Sequence, residues 1–238
     1  MPTRAPSRAV QQRAARLAAE QAAEARRRRR RITLFGVLGA LLLSGVIGVV
    51  IGTQSSSSSA GGRPPGVTGA GGIVVGSASA PVKVVMYEDP QCPVCARFES
   101  TSGPLLAKAV ADGKVSVEYR LRSFIGPDSV RAVNALGAAQ ADGRFEALRE
   151  ALYRAQPKEN TGGYDVDTLI NAGRAVGLTS SSYADAVQTG RYNAWVQATD
   201  DRASRDGNVA TPELRINGRP LPQRQLFDSA ALSTALGL

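Results

Sequence analysis

The sequence of 238 residues predicts an α/β domain in which a block of helices separates the strands, preceded by an apolar membrane segment. Three observations lead to this prediction. Strand-like stretches occur only towards the two ends of residues 73–238, and helical periodicity fills the middle. Residues 32–53 form an apolar stretch without a charge. Residues 54–72, rich in Gly, Ser and Pro, separate the two parts and predict a flexible linker.

Positive charge is concentrated at the N-terminus. The chain has a formal net charge of +9, yet residues 1–31 alone contain ten arginines against two glutamates. The remainder is therefore almost neutral. A short basic tail beside an apolar segment is typical of the cytoplasmic flank of a membrane span. RNA binding by this tail is an alternative, but topology already accounts for the charge, and we expect no nucleic-acid partner.

The apolar stretch 32–53 is long enough to cross a bilayer. Its 22 residues would extend roughly 33 Å as a helix, against a hydrocarbon core of about 30 Å. It therefore predicts a single-pass protein of the cell membrane. Residues 1–31 would form a cytoplasmic tail that contacts anionic membrane lipid, and residues 54–238 would be extracytoplasmic. The alternative is a cleavable signal peptide, whose first region is also basic.

Strand and helix signals begin at residue 73. The stretch IVVG and then PVKVVMYED predict two strands, the second ending at a turn with Pro90. A helix should start within Cys92–Cys95, with Pro93 in its first turn, and should be interrupted at Gly103-Pro104. KVSVEYRLR, residues 114–122, predicts the next strand.

The middle of the domain reads as helices only, from Asp128 to Asp206. Tyr192 and Trp195 stand at helical spacing there, and we expect them in the core of this block. Strand character returns after it, with a hairpin turn at Asn217-Gly218. A last amphipathic helix is predicted over residues 223–236.

Composition restricts the chemistry to the two cysteines. The chain contains no histidine, which excludes Ser-His-Asp and Cys-His relays, and two cysteines cannot complete a four-cysteine zinc site. Unpaired backbone N–H groups at a helix start favour a thiolate, so Cys92 is the candidate nucleophile. Cys95, one turn further on, is the candidate resolving thiol. The redox-active Cys92–Cys95 disulfide would then react without any cofactor or metal. The alternative roles for the two cysteines are a purely structural disulfide or half of an intermolecular zinc site.

The chain resembles the DsbA-like branch of the thioredoxin superfamily. The resemblance covers residues 73–238, in four segments: ApVKVVMYEDPQCPVC (80–95), GKVSVEYRLRSFIGPDSVRA (113–132), GRFEALREALYRAQ (143–156) and NVATPELRINGRPL (208–221). It implies a thioredoxin-like fold with a helical insertion at about 126–207, and thiol–disulfide oxidoreductase activity. It also implies that Thr211-Pro212 is a cis-proline pair that binds substrate beside Cys92.

Two departures from the family pattern bear on activity. Strongly oxidising members commonly carry histidine where this chain has Val94. Loss of that cation should make Cys92 less acidic, so we predict a lower reduction potential than that of the strong oxidants. Ala210 replaces a usual glycine before Thr-Pro, and Glu213-Leu214-Arg215 replaces apolar residues, so substrate preference does not carry over.

Two carboxylates precede the cysteines. Glu88 and Asp89 stand four and three residues before Cys92, and either could assist proton transfer to the second thiol. Alternatively, Asp89 caps the helix or stabilises the turn before it.

The residues leave three functions open. The first is an anchored oxidoreductase that forms disulfides in exported proteins bearing cysteine thiols and is reoxidised by a membrane redox partner. The second uses the same site as a reductase or isomerase, for example in cytochrome maturation. The third is a non-catalytic peptide-binding or assembly module that uses the groove around Pro212.

Overall fold

A five-stranded sheet forms the centre of the domain. The structure, a computed structural model, describes residues 62–238. The strands are β1 (Ile73–Val75), β2 (Val82–Glu88), β3 (Val115–Leu121), β4 (Glu213–Ile216) and β5 (Arg219–Pro220). Their order in the sheet is β1-β3-β2-β4-β5. The α/β thioredoxin-like fold with a helical insertion is confirmed.

Strand β2 occupies the middle of the sheet. It pairs in parallel with β3, Val84 opposite Val117, and antiparallel with β4, Val84 opposite Ile216. A central strand is covered on both faces, which explains its apolar sequence. Met86 is fully buried, as are Tyr87 and Glu88 at the end of the strand. The end of β2 therefore places the following residues at a fixed point on the edge of the core.

Nine helices surround the sheet in the described part of the chain. They are α1 (Pro93–Thr101), α2 (Gly103–Ala111), α3 (Pro127–Ala141), α4 (Phe145–Arg154), α5 (Val166–Ala175), α6 (Ser181–Thr189), α7 (Asn193–Arg205), α8 (Gln223–Leu226) and α9 (Ser229–Leu236). Helices α3 to α7 form the predicted helical insertion. Tyr192 and Trp195 are buried, as predicted, in the core of this block.

Local sequence signals place most boundaries. The helix predicted after Cys92 is interrupted before Gly103, as expected from Gly103-Pro104. Asn217 and Gly218 both have positive φ, 47° and 81°, as a two-residue hairpin turn of type I′ requires. The last helix differs from its prediction: it is divided into α8 and α9, because the Asp228 carboxylate accepts hydrogen bonds from the N–H groups of Ala230 and Ala231 and begins a new helix.

The linker predicted over residues 54–72 ends earlier than expected. Within its described part, Pro64 is buried, and the Trp195 indole N–H donates to the Gly71 carbonyl at 3.0 Å. A Cβ at Gly137 would lie 2.8 Å from the Trp195 ring and 3.0 Å from Pro64, so this glycine allows the segment to approach α3. Tertiary contacts thus fix a segment whose composition predicts flexibility.

The predicted cytoplasmic tail and transmembrane helix, residues 1–53, lie outside the described residues. Between residues 62 and 238, no helix is long and apolar enough to cross a membrane.

Candidate active site

The two cysteines lie where β2 leads into α1. Cys92 occupies the N-cap position of α1 and Pro93 its first turn, as predicted. Both cysteines are free thiols. Cys95 is 1% exposed, as expected for a covered resolving thiol, but Cys92 is only 6% exposed. The nucleophile is therefore less open than the sequence suggests.

The two thiols have opposite pKa shifts. The pKa of Cys92 is lowered to about 6, chiefly by a hydrogen bond from the Cys95 thiol. The Thr211 side chain and the backbone N–H groups of Cys95 and Val94 lower it further, against the raising effect of burial. Burial raises the pKa of Cys95 well above its usual range, and the neighbouring Cys92 and Glu88 raise it further. Cys92 is therefore the thiolate at neutral pH and Cys95 the proton donor, as a nucleophile and its resolving partner require.

The loop before β4 closes the other side of Cys92. The Thr211-Pro212 peptide bond is cis, as the resemblance implies. Cys92 Sγ lies 3.4 Å from the Thr211 carbonyl oxygen, although these residues are 119 positions apart in sequence. The predicted substrate-binding pair and the predicted nucleophile are thus in contact.

Asp89 stabilises the turn between β2 and α1. Its Oδ1 accepts hydrogen bonds from the Gln91 N–H at 2.9 Å and from the Ser129 hydroxyl at 2.6 Å. Its Oδ2 accepts from the Ile125 N–H at 3.3 Å. Burial raises the pKa of Asp89 to about 6, against the lowering effect of these hydrogen bonds. The structure supports the role in the turn, while the Cys92 N–H bonds to the Asp89 carbonyl rather than to its side chain.

Glu88 forms a buried ion pair close enough to Cys95 to affect its pKa. Arg149 binds both of its oxygens at 2.6 Å and also contacts Glu99. Its guanidinium lies over the rings of Tyr119 and Tyr153. Burial raises the pKa of Glu88 against the lowering effect of Arg149. Both acceptor oxygens of Glu88 are occupied by a permanent cation, which favours a structural role over proton transfer.

Side chains of the insertion hold the active-site loop in place. Gln156 Nε2 donates to the carbonyls of Pro90, at 2.8 Å, and Cys92, at 3.0 Å. The Tyr153 hydroxyl donates to the Asp89 carbonyl at 3.3 Å, and its ring packs against both cysteines. The insertion therefore supports the redox site directly.

Val94 is partly open to solvent, 38% exposed. Pro93 beside it is also exposed, so the two intervening residues face solvent rather than the core. Over residues 62–238, no cluster of three or more Cys, Asp or Glu side chains is arranged to hold a metal ion.

The sequence did not predict a role in the site for four residues: Arg149, Tyr153, Gln156 and Ser129. One signal points to Arg149: it follows Phe145 by four residues and precedes Leu152 by three, so it stands on the buried face of α4. A charged residue on an apolar helix face predicts a buried ionic partner, but it does not identify that partner.

Comparison with known proteins places this site in a family. A family model described as thioredoxin matches residues 68–233. The chain is 27% identical over 154 residues to the probable disulfide bond formation protein D of Bacillus anthracis, covering 60% of this chain and 69% of that protein. It is 26% identical to the crystal structure of oxidised DsbA of Mycobacterium tuberculosis, with a TM-score of 0.60, covering 69% of this chain and 90% of that one.

Another relative shares only a small part of its length. The serine/threonine-protein kinase PknE of Mycobacterium tuberculosis is 31% identical over 118 residues, which cover 44% of this chain and 21% of the kinase. The chain thus spans about a fifth of that relative. The match to the family model covers well over half of the chain and includes both cysteines and the cis-proline. The chain belongs to the thioredoxin family and resembles its DsbA-type thiol–disulfide oxidoreductases.

Proposed function

We propose that this chain is a membrane-anchored, extracytoplasmic thiol–disulfide oxidoreductase that forms disulfides in exported proteins. The observation that carries the proposal is the opposite pKa shift of two neighbouring thiols beside the Thr211 carbonyl. A structural staple has no need of an acidic Cys92 and a strongly protonated Cys95. Such a pair suits a reaction in which one sulfur attacks or leaves as thiolate and the other retains its proton.

The reaction begins with the oxidised Cys92–Cys95 disulfide. A substrate thiolate attacks Cys92 Sγ, a mixed disulfide forms, and the electron pair of the broken bond leaves on Cys95, which takes up a proton. A second thiolate of the substrate then attacks the substrate sulfur of the mixed disulfide. Cys92 leaves as a thiolate, and its pKa of about 6 makes it a good leaving group. The substrate loses two electrons, and the cysteine pair gains them.

Substrate binding is proposed at Thr211 and Pro212. The Thr211 carbonyl lies beside Cys92 Sγ, so an extended substrate segment aligned with this loop would bring its own sulfur towards Cys92. Main-chain pairing of this kind gives affinity without a demand for particular side chains. It therefore suits an enzyme that acts on many exported proteins.

The acidity of Cys92 bears on the reduction potential, and through it on the direction of electron flow. Among thiol–disulfide oxidoreductases, a nucleophile pKa of about 7 accompanies a reducing potential of about −270 mV, and a pKa of about 3.5 accompanies an oxidising potential of about −120 mV. A pKa of about 6 predicts a potential between these two. Val94 has no cation to offer, so reduction or isomerisation of disulfides by the same site remains the second candidate. In the cell, a membrane redox partner would reoxidise the pair.

The test uses the full chain in detergent. It should oxidise a reduced, unfolded protein substrate, and Cys92→Ser should abolish this activity. Cys95→Ser should retain the first step and accumulate a mixed disulfide. In cells, this variant should trap exported proteins and the redox partner. A Cys92→Ser chain that retains its cellular role would instead favour the peptide-binding module.

A further inference from the structure

A cleft whose lining includes neither cysteine lies elsewhere in the domain. It has a volume of about 350 Å³ and forms between the segment before β1 and helix α7. None of the residues that we place in the redox site lines it. The lining of the cleft includes Arg63, Gly71, Trp195, Thr199, Arg202 and Arg205.

The charge of this cleft is positive. Three arginines line it and no acidic residue does. Arg202 is neutralised in part, because its Nε contacts Asp206 at 2.9 Å. Arg63 donates only to the Val67 carbonyl, at 3.4 Å, and Arg205 has no ion-pair partner anywhere between residues 62 and 238. Two guanidinium groups therefore remain available to an anion.

A buried hydroxyl in the same cleft also lacks a partner. Thr199 is 2% exposed, and its Oγ1 has no hydrogen-bond partner among the described residues. A buried hydroxyl without a partner destabilises a fold, so an unpaired one calls for an explanation. A Cβ at Gly71 would lie 3.2 Å from this Oγ1, so the glycine places no side chain against the hydroxyl. Arginine N–H groups and a hydroxyl together suit an oxyanion with several acceptor oxygens.

Trp195 gives the cleft an apolar wall. Its indole N–H is already bonded to the Gly71 carbonyl, so the ring offers mainly apolar surface. An anion held here would have apolar atoms attached to it. A phospholipid headgroup, a phosphodiester next to glycerol, has this character.

The position of the cleft along the chain points to the same ligand. Arg63 follows Thr53, the last residue of the predicted membrane span, by ten positions. Ten residues reach at most about 36 Å when fully extended. The anchor would thus keep this cleft near the outer surface of the membrane.

We propose that this cleft binds the phosphate of an anionic phospholipid headgroup in the outer leaflet. Arg63 and Arg205 donate to the phosphate oxygens and Thr199 Oγ1 donates a third hydrogen bond. Binding would orient the redox site relative to the membrane. The proposal rests on the proposed membrane anchor, but not on the thiol chemistry.

The chain supplies its own reporter, because Trp195 is its single tryptophan. The full chain is reconstituted in phosphatidylcholine vesicles with residues 62–238 outside. A small fraction of the lipid carries a nitroxide quencher on its headgroup. Phosphatidylglycerol should increase the quenching of Trp195 fluorescence by the nitroxide. Removal of an arginine should weaken headgroup binding about five-fold, so the double variant Arg63→Gln, Arg205→Gln should lose most of this increase.

Matched variants separate the cleft from general basicity. The double variant Arg154→Gln, Arg219→Gln removes the same two charges at exposed positions outside this cleft and should quench like the wild type. The basic tail is intact in every variant, so it cannot cause a difference between them. Thr199→Val should reduce the effect of phosphatidylglycerol without lowering the melting temperature, whereas a purely structural threonine would not alter the quenching.

The proposal is overturned if phosphatidylglycerol leaves Trp195 quenching unchanged or if the double variant Arg63→Gln, Arg205→Gln responds like the wild type. Inorganic phosphate is the competing ligand. The proposal is also overturned if inorganic phosphate changes Trp195 emission in neutral vesicles, if this change requires Arg63 and Arg205, and if phosphate abolishes the effect of phosphatidylglycerol. The cleft would then bind free phosphate rather than a lipid headgroup. Failure of the chain to float with neutral vesicles contradicts the anchor instead. Thiol exchange is measured separately, so neither result affects the proposed chemistry.

Discussion

The acidity of Cys92 depends on the thiol of Cys95, and this dependence can be tested by removing one donor. The hydrogen bond from Cys95 is the largest cause of the low pKa of Cys92. Cys95→Ala removes the donor, and Cys95→Ser replaces it by a hydroxyl. We therefore expect the pKa of Cys92 to rise in both variants, and to rise more in the alanine variant.

The magnitude follows from the strength of a hydrogen bond to an anion. Such a bond contributes about 1.5–3 kcal/mol, and one pKa unit corresponds to about 1.4 kcal/mol. The pKa of Cys92 should therefore rise from about 6 by about one to two units in Cys95→Ala. The remaining hydrogen bonds from Thr211 and from the start of α1 should keep it below that of an exposed thiol.

The assay is a pH titration of the thiolate absorbance near 240 nm in the reduced protein. Cys92 is then the only thiol of either Cys95 variant, since the chain contains two cysteines. A reaction rate at one pH would not suffice, because a more basic thiolate is also more nucleophilic, and this offsets the smaller thiolate fraction. Cys92→Ser is the control and should show no thiolate at neutral pH, because burial raises the pKa of Cys95.

An unchanged midpoint in Cys95→Ala would refute this reasoning. The start of α1 and Thr211 would then suffice for the low pKa, and Cys95 would act in resolution alone. A midpoint in Cys95→Ser equal to that in Cys95→Ala would show that the hydroxyl does not replace the thiol as donor.

Three further predictions concern the surroundings of the thiols. Val94→His should lower the pKa of Cys92 by about one unit and raise the reduction potential by about 30 mV, measured by equilibration with glutathione; an unchanged potential contradicts the role given to Val94. Asp89 has a raised pKa of about 6, so its contribution to stability is complete below about pH 4 and is lost as the pH rises through about 6. In the oxidised protein, the difference in unfolding free energy between Asp89→Asn and wild type should therefore change in favour of Asp89→Asn by about 3 kcal/mol between about pH 3 and about pH 7. A constant difference would contradict the raised pKa. Arg149→Met leaves Glu88 buried without its cation and should destabilise the fold by about 3–5 kcal/mol, measured by urea unfolding. The double variant Arg149→Met, Glu88→Gln should recover part of this loss. If the losses of the two single variants instead add in the double variant, the two side chains do not form a direct ion pair.

Local signals were the most reliable guide to the fold and the site. Pro93 marks the first turn of α1, Gly103-Pro104 interrupts the helix, and Asn217-Gly218 forms the hairpin, because each depends on the backbone preferences of one or two residues. The division of the last helix was missed, although Asp228 carries the signal. Helical periodicity continues across that residue and conceals the new N-cap.

Glu88 and Asp89 illustrate what local signals do not decide. Both stand within four positions of Cys92 in sequence, and both were candidates for proton transfer. Their partners distinguish them: Arg149 lies 61 residues beyond Glu88, and Ser129 lies 40 residues beyond Asp89. A contact over such a separation depends on how α3 and α4 pack against β2, which no single segment encodes.

Residue types and their spacing already indicate thiol chemistry: a CxxC pair at the start of a helix, a Thr-Pro pair before a hairpin, and no histidine for a Ser-His-Asp or Cys-His relay. How that chemistry is tuned depends on the packing of distant segments. This packing brings Thr211 to Cys92 and buries Cys95, and it gathers Arg63, Thr199 and Arg205 into one cleft. The physical reason is that residue types and local preferences are properties of short segments. A pKa or a binding site depends on burial and charge, which arise only when distant segments pack together.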